Sequence, residues 1–323
     1  MLAKFFKSSQ PGVFIIIAFL ALLTRVPLLF NVVPIQTPVG FSPAYELVYK
    51  ALENFQIVGI VLSYLLLMIQ AIFFNNIVGE YNISNKNSYL PALFYVLLFS
   101  SSKGLMQLNP ILLANFFIIF SIRSILAVYT SHEKITPIFN AGFLIAIASM
   151  FYLPAIALLL YLILTLIVFR ELSLRFSFVV FAGAMVPYLY VSTYYYWTNQ
   201  LLIKFHEALQ LFSKCSIYFR FEISTIFYLV FFGIAFLVGL FQYWYRLTEK
   251  LVKIRKYFFS CLCFIIIVLA SLFFSNERYS MHFGLFSLPA AIFIANYVFL
   301  CRKLWIANLI IIGFIIHVIA LYI

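Results

Sequence analysis

Along this chain, runs of about twenty uncharged and mostly apolar residues alternate with short breaks that hold the charges. A helix of that length reaches across the hydrocarbon core of a bilayer. Runs near residues 12–30, 56–78, 88–101, 110–129, 137–151 and 153–169 predict six such helices. Runs near 176–197, 223–244, 257–275, 283–300 and 304–322 predict five more. The expected fold class is therefore all-α: a polytopic membrane protein of about eleven transmembrane helices, forming one integral membrane domain over residues 1–323. With 40 phenylalanines, hydropathy alone marks the boundaries poorly, and charges and prolines set most of them.

Two of the breaks are long enough to carry structure. Residues 31–55 hold Pro34, Pro38 and Pro43, then Tyr45, Glu46, Leu47, Val48, Tyr49, Lys50, Ala51, Leu52 and Glu53. That stretch predicts a short amphipathic helix lying in the membrane interface. Residues 198–222 repeat the pattern: Leu201, Leu202, Phe205, Leu209 and Phe212 lie on one side, Lys204, His206 and Glu207 on the other. Both segments fall on the same membrane face.

Composition narrows the chemistry. Apolar residues make up 66% of the chain and charged residues 9%, too little polar surface for an aqueous domain. There is no aspartate, and the nine acidic residues are all glutamate. Intramembrane chemistry usually rests on carboxylates, so each candidate can be named. The net charge of +12 sits beside span ends, where it sets topology and meets anionic lipid, and nucleic acid is not an expected partner. With the N-terminus inside, cytoplasmic loops collect Lys4, Lys7, Lys86, Arg123, Lys134, Arg170, Arg175, Arg246, Lys250, Lys253, Arg255, Lys256, Arg302 and Lys303. The other side keeps Arg25, Lys50, Lys103, Lys204, Lys214, Arg220 and Arg278, a two-to-one bias for a cytoplasmic N-terminus. Cys215, Cys261, Cys263 and Cys301 lack ligand spacing, so neither a metal nor a disulfide is expected. The run Val13 to Phe30 reads as a retained span, not a cleaved leader, because it contains Arg25 and no small-residue cleavage site follows. No nucleotide-binding loop, zinc spacing or serine-hydrolase elbow is present, and no cofactor is expected.

Thr24, Arg25, Val26 and Pro27 at the end of the first span, an interfacial helix before the second, and the late run Asn276, Glu277, Arg278, Tyr279 followed by Leu288, Pro289 and Ala290 together resemble the GT-C glycosyltransferases. Those integral membrane enzymes transfer sugar from a polyprenyl-phosphate donor on the extracytoplasmic face. The likeness covers a module of about residues 1–200, with additional spans over 223–323. More closely, Ser88 to Asn115 and the run from Asn140, Ala141, Gly142 and Phe143 look like an uncharacterised multi-spanning family of Bacteroidota inner membranes. The resemblance implies an inner-membrane protein of cell-envelope biogenesis, with membrane lipids, a polyprenyl-phosphate-linked glycan and other inner-membrane proteins as its partners. One departure stands out. Where the enzymes carry an acidic residue just before the first interfacial helix, this chain has Ser42 and Pro43, neither of which can act as a base at neutral pH.

Glu46, about one helical turn on, is the substitute base this resemblance implies. Arg25, Lys103, Arg278, Tyr279 and His282 are the implied donor-binding residues, with arginine forks suited to phosphate. Arg25 has a second reading, pairing with Glu46 or snorkelling to the interface. Tyr194, Tyr195, Tyr196 and Trp197 read as an interfacial aromatic belt and His317 as a hydrogen-bonded core residue. Two alternatives to transfer chemistry stand beside it: a non-catalytic GT-C-like scaffold subunit and a lipid or small-solute transporter.

Overall fold

The computed structural model describes residues 2–8, 10–30, 34–38, 41–83, 88–213, 223–274 and 279–321. Among the described residues there are helices, turns and extended links, and no β-strand. In chain order the α-helices are α1 (Leu2–Phe6), α2 (Pro11–Leu23), α3 (Val26–Phe30), α4 (Pro43–Leu52), α5 (Gln56–Glu80), α6 (Leu90–Phe99), α7 (Lys103–Met106) and α8 (Pro110–Ala127). They continue as α9 (Ile135–Phe151), α10 (Leu158–Phe169), α11 (Leu174–Trp197), α12 (Leu201–Ser213), α13 (Ile223–Tyr245), α14 (Val252–Ser271), α15 (Tyr279–Leu300) and α16 (Leu304–Ala320).

Among the described residues, seven helical stretches are long and apolar enough to cross a membrane: Gly12–Phe30, Gln56–Glu80, Pro110–Ala127, Leu174–Trp197, Tyr228–Tyr245, Val252–Ser271 and His282–Leu300. The chain is thus a multi-pass, all-α membrane protein. Four shorter apolar helical stretches, Leu90–Phe99, Ile135–Phe151, Leu153–Phe169 and Leu304–Ala320, occupy the other places where spans were expected. Side chains such as Ile15, Phe178 and Leu237 are 60–70% exposed, as a lipid-facing surface requires.

The segment expected over 88–101 is the largest departure. Its helix α6 has ten residues, about 15 Å of rise, half of what a hydrocarbon core demands. The reason is its place: every residue of α6 is buried, with α5 and α15 packed against it. A helix that never meets lipid can end early, because the irregular backbone after it is satisfied by protein. Asn109 does much of that work. Its side chain caps α8 by accepting from Leu112 N at 2.7 Å and donates to the carbonyls of Leu105 and Gln107.

Hydrogen bonds register the bundle. Ser63 Oγ donates to Met106 O, Gln70 Nε2 to Leu112 O and Tyr81 OH to Arg123 O, so α5 and α8 run in the same direction, with α6 and α7 between them. Tyr95 OH donates to Gln70 Oε1 at 2.6 Å, and Asn115 Nδ2 to Gly284 O at 2.9 Å, tying α6 and α15 into the same core. In lipid, where apolar contact between helices gains little over contact with acyl chains, such bonds and close packing hold helices together. The closest packing is between α9 and α11, where Gly142 meets the Val180 carbonyl and Gly183 the Phe139 carbonyl.

Charge divides the bundle into two ends. At one, Arg123 pairs with Glu80 (3.2 Å), Lys134 with Glu171 (2.7 Å), and Lys256 Nζ donates to Phe169 O. Tyr81, Tyr129, Phe169 and Tyr257 join these loops in one ring cluster. This basic end also gathers Lys7, whose Nζ donates to Cys301 O. Lys86 lies outside the described residues. At the opposite end lie α3, α4, α7 and α12, with Arg25, Lys50, Lys103 and Lys204; Lys214, Arg220 and Arg278 lie outside the described residues.

Candidate functional site

The opposite end is built on α4. Ser42 stands at its N-cap, Pro43 at its first position, where the missing N–H costs nothing, and Glu46 in its first turn. The helix is fixed by Tyr45, which is fully buried and donates its hydroxyl to Gln36 O at 2.8 Å, with Leu108 O at 3.4 Å. Gln36 Nε2 in turn donates to Gly104 O beside α7. The interfacial segment expected from sequence is therefore a helix anchored through its one buried tyrosine.

The helix α12 follows α11 through Asn199, whose φ of 56° lies in the left-handed region that asparagine tolerates. Gln200 N closes the end of α11 on Tyr195 O at 2.9 Å. This reversal lays α12 over the end of the bundle with Leu202, Phe205 and Leu209 half or more exposed, its apolar face turned away. Lys204 then points to α4. Its Nζ stands 3.3 Å from Glu46 Oε1 and 2.9 Å from Glu207 Oε2. Burial opposes the ammonium, but the Glu207 and Glu46 carboxylates outweigh it and raise the Lys204 pKa above its ordinary value. Beneath, Phe41, Leu153 and Tyr195 pack together, with Tyr188 and Ala208 at their margin.

Arg25 and His282 do not join Glu46 at this clamp. Arg25 was expected to pair with Glu46 or hold phosphate; its side chain is only 1% exposed, Nη1 donates to Ala21 O and Thr24 Oγ1 at 3.2 Å each, and the Glu46 carboxylate is held by Lys204 instead. The turn after α2 folds the guanidinium back on its own helix. Lys103 is exposed at the start of α7, where Ser102 Oγ caps Leu105 N. Arg278 lies outside the described residues, and Tyr279 begins α15.

His282, expected beside Arg278 and Lys103 at a phosphate, is 1% exposed. Tyr152 OH lies 2.6 Å from Nδ1, and Nε2 lies 3.0 Å from both Val268 O and Ser271 Oγ. A carbonyl only accepts, so Nε2 carries the hydrogen and Nδ1 accepts from the phenol. The ring ties α15 to α14 and to the break between α9 and α10, and both its nitrogens are occupied by the protein. Tyr152 falls in the gap between the runs expected over 137–151 and 153–169, and a hydroxyl at that proline-bearing joint was the available signal. Sequence reasoning also missed Lys204 as the bridge, though the spacing of Lys204 to Glu207 was visible.

Chemically, the clamp presents two carboxylates, those of Glu46 and Glu207, on one ammonium, and Glu46 is the partly exposed group on α4. Such a group can accept a proton from an approaching hydroxyl. No group of three His, Cys, Asp or Glu suited to a metal occurs among the described residues. Cys261, Cys263 and Cys301 are free thiols, and Cys215 lies outside the described residues.

No curated protein and no solved structure shows a significant match to the chain. A family profile does match, over residues 14–323. The chain belongs to that family, DUF6427, a family of unknown function.

Proposed function

We propose that the protein is a GT-C-like component of cell-envelope biogenesis in a bacterial inner membrane. In this reading the basic end is cytoplasmic, and a polyprenyl-phosphate-linked sugar binds at the opposite end, under α4 and α12. The observation that carries it is the placement of Glu46: an accessible carboxylate in the first turn of the first interfacial helix, held by Lys204 from the second. Glu46 is the base for the acceptor hydroxyl. Lys103, Arg278 and Tyr279 attract the donor phosphates, while Arg25 and His282 act from inside the bundle, holding the first turn and the start of α15 in place.

Replacing Glu46 with glutamine tests the reading. A general base contributes about 100- to 10,000-fold, so E46Q is expected to abolish complementation of an envelope-glycan defect and to leave the membrane level of the protein unchanged. Full complementation by E46Q would remove transfer chemistry and leave the second reading, a non-catalytic GT-C-like scaffold. That reading is favoured by the burial of Arg25 and His282, which keeps two candidate ligands from a shared open site.

A further inference from the structure

The basic end carries a second constellation that the sugar reading does not use. From Arg246 to Lys256 the chain presents Arg246, Lys250, Lys253, Arg255 and Lys256 against a single carboxylate, Glu249. Elsewhere at this end two cations are matched to glutamates, Arg123 to Glu80 and Lys134 to Glu171, but among the described residues none of these five is ion-paired. Lys256 is satisfied by Phe169 O and lies 4.5 Å from the Tyr129 ring. Lys250 and Arg255 are different. Lys250 Nζ sits 3.7 Å over the Tyr243 ring, and neither it nor Arg255 Nε, both out of contact with solvent, has a hydrogen-bond acceptor. Leaving buried donors without acceptors is costly, and Arg246 stands close enough to add its repulsion to Lys250. Two cations brought together by the fold, Arg246 and Lys250, with the Lys250 ammonium lacking an acceptor, call for an anion that the chain does not supply.

The surroundings say which anion. Trp244 and Tyr245, 53% and 77% exposed, flank the segment at the end of α13, and Trp305, 63% exposed, lies on α16 at the same end. Such aromatic belts mark the depth of lipid headgroups. About one turn back along α13 lies Phe241, 70% exposed, at the depth of acyl chains. Gln242 Oε1, one turn before Arg246, is buried without a donor and suits a headgroup hydroxyl.

We propose that the hairpin between α13 and α14 binds the phosphate of an anionic phospholipid, with Arg246 and Lys250 as its ligands and an acyl chain along Phe241 and Trp244. The chemistry recognised is a phosphodiester with no cationic group of its own beside it, and a soluble phosphate is the competing source. The site holds an individual headgroup at fixed donors, which distinguishes it from the diffuse attraction of any basic loop to an acidic surface.

The test uses the full chain in an uncharged detergent, with Trp197 and Trp305 replaced by phenylalanine so that Trp244 is the one tryptophan and is excited selectively. Phosphatidylglycerol or phosphatidylcholine with dibrominated chains is titrated in, and quenching is recorded. Phosphatidylglycerol is expected to quench at the lower mole fraction, with the preference falling about fivefold in R246Q and about fivefold in K250M. K250R is expected to keep the preference, as is K4Q, which removes an exposed cation from the same end. R246Q supplies an independent reading if K250M is not recovered. Equal quenching by both lipids overturns the proposal, and so does a loss in K4Q as large as in K250M, which would make the effect one of diffuse charge. Inorganic phosphate at about 1 mM, too dilute to screen the surface, is expected to leave the preference intact; its abolition would assign the site to a soluble anion and overturn the lipid.

Discussion

Lys204 and Glu46 stand 158 positions apart in sequence, and their charged atoms meet at 3.3 Å, joining α4 and α12 over one end of the bundle. Glu207, one turn along α12, takes the same ammonium at 2.9 Å. Their side chains retain between a fifth and two fifths of their exposure, so the clamp ranks between a free surface pair and a buried one. A double-mutant cycle with E46Q and K204M is expected to give a coupling of about 1 kcal/mol in thermal unfolding in detergent. Because the Lys204 pKa is raised, its contribution is fully present below the ordinary lysine value near 10.5 and is lost as pH climbs through the raised one. A coupling of zero at pH 7 would mean that α4 and α12 are held by apolar contacts alone.

Tyr152 and His282 make the complementary prediction inside the membrane. Y152F keeps the ring and removes the hydroxyl that fills Nδ1, leaving a buried acceptor empty where no solvent reaches. The expected loss is about 1–3 kcal/mol of stability. Thermal unfolding of Y152F beside Y129F, whose ring also packs at a helix end, gives the measurement. Equal stability of Y152F and the parent would show that the ring nitrogen finds another donor.

What could be read from sequence, and what could not, follows from the range of the interactions. The α4 helix was legible because Pro43 starts it and its polar and apolar positions alternate at helical spacing, all within ten residues. The basic end was legible because each break between apolar runs carries its own cations. The partner of Glu46 was not, because charge pairing between α4 and α12 depends on how α11 ends, through the left-handed Asn199. The true length of α6 was hidden for a related reason: Leu90–Phe99 is uniformly apolar and Ser100, Ser101 and Ser102 after it carry no charge, so the uncharged run goes on past the point where the helix stops. His282 looked like an interfacial ligand from its distance to Arg278; only the placement of Tyr152 and Val268 shows both ring nitrogens already taken.

Glycines of α9 and α13 give a matched pair of predictions. A methyl group on Gly142 would run into the Val180 backbone carbonyl, and one on Gly183 into that of Phe139, so neither helix can yield by moving a side chain. G142A is expected to cost about 1–3 kcal/mol through separation of α9 from α11. Gly233 has nothing within 4 Å of its added methyl, and G233A is expected to be neutral or to stabilise by up to about 1 kcal/mol through helix propensity. Melting temperatures of the two variants in the same detergent decide it. Equal effects would mean that the α9–α11 crossing is looser than its glycines require.

Lys250 makes stability depend on pH in the direction opposite to Lys204. Burial first, and then the charge of Arg246, push its pKa down to about 8, while the face of Tyr243 returns part of that loss. Below about 8 the folded and unfolded chains both carry the proton, and the folded state bears the full penalty of a buried ammonium. Between about 8 and the ordinary value of 10.5 the unfolded chain keeps a proton that the folded chain has released, so stability rises with pH across that window. K250M, which keeps the packing against Tyr243 and removes the charge, is therefore expected to melt higher than the parent at pH 7 in an uncharged detergent. The gap is expected to close as pH approaches 10. An anionic headgroup seated on Arg246 and Lys250 supplies the missing acceptor, so phosphatidylglycerol is expected to close the same gap at pH 7. A gap that ignores both pH and lipid would place the Lys250 ammonium in water and remove the basis for a phosphate there.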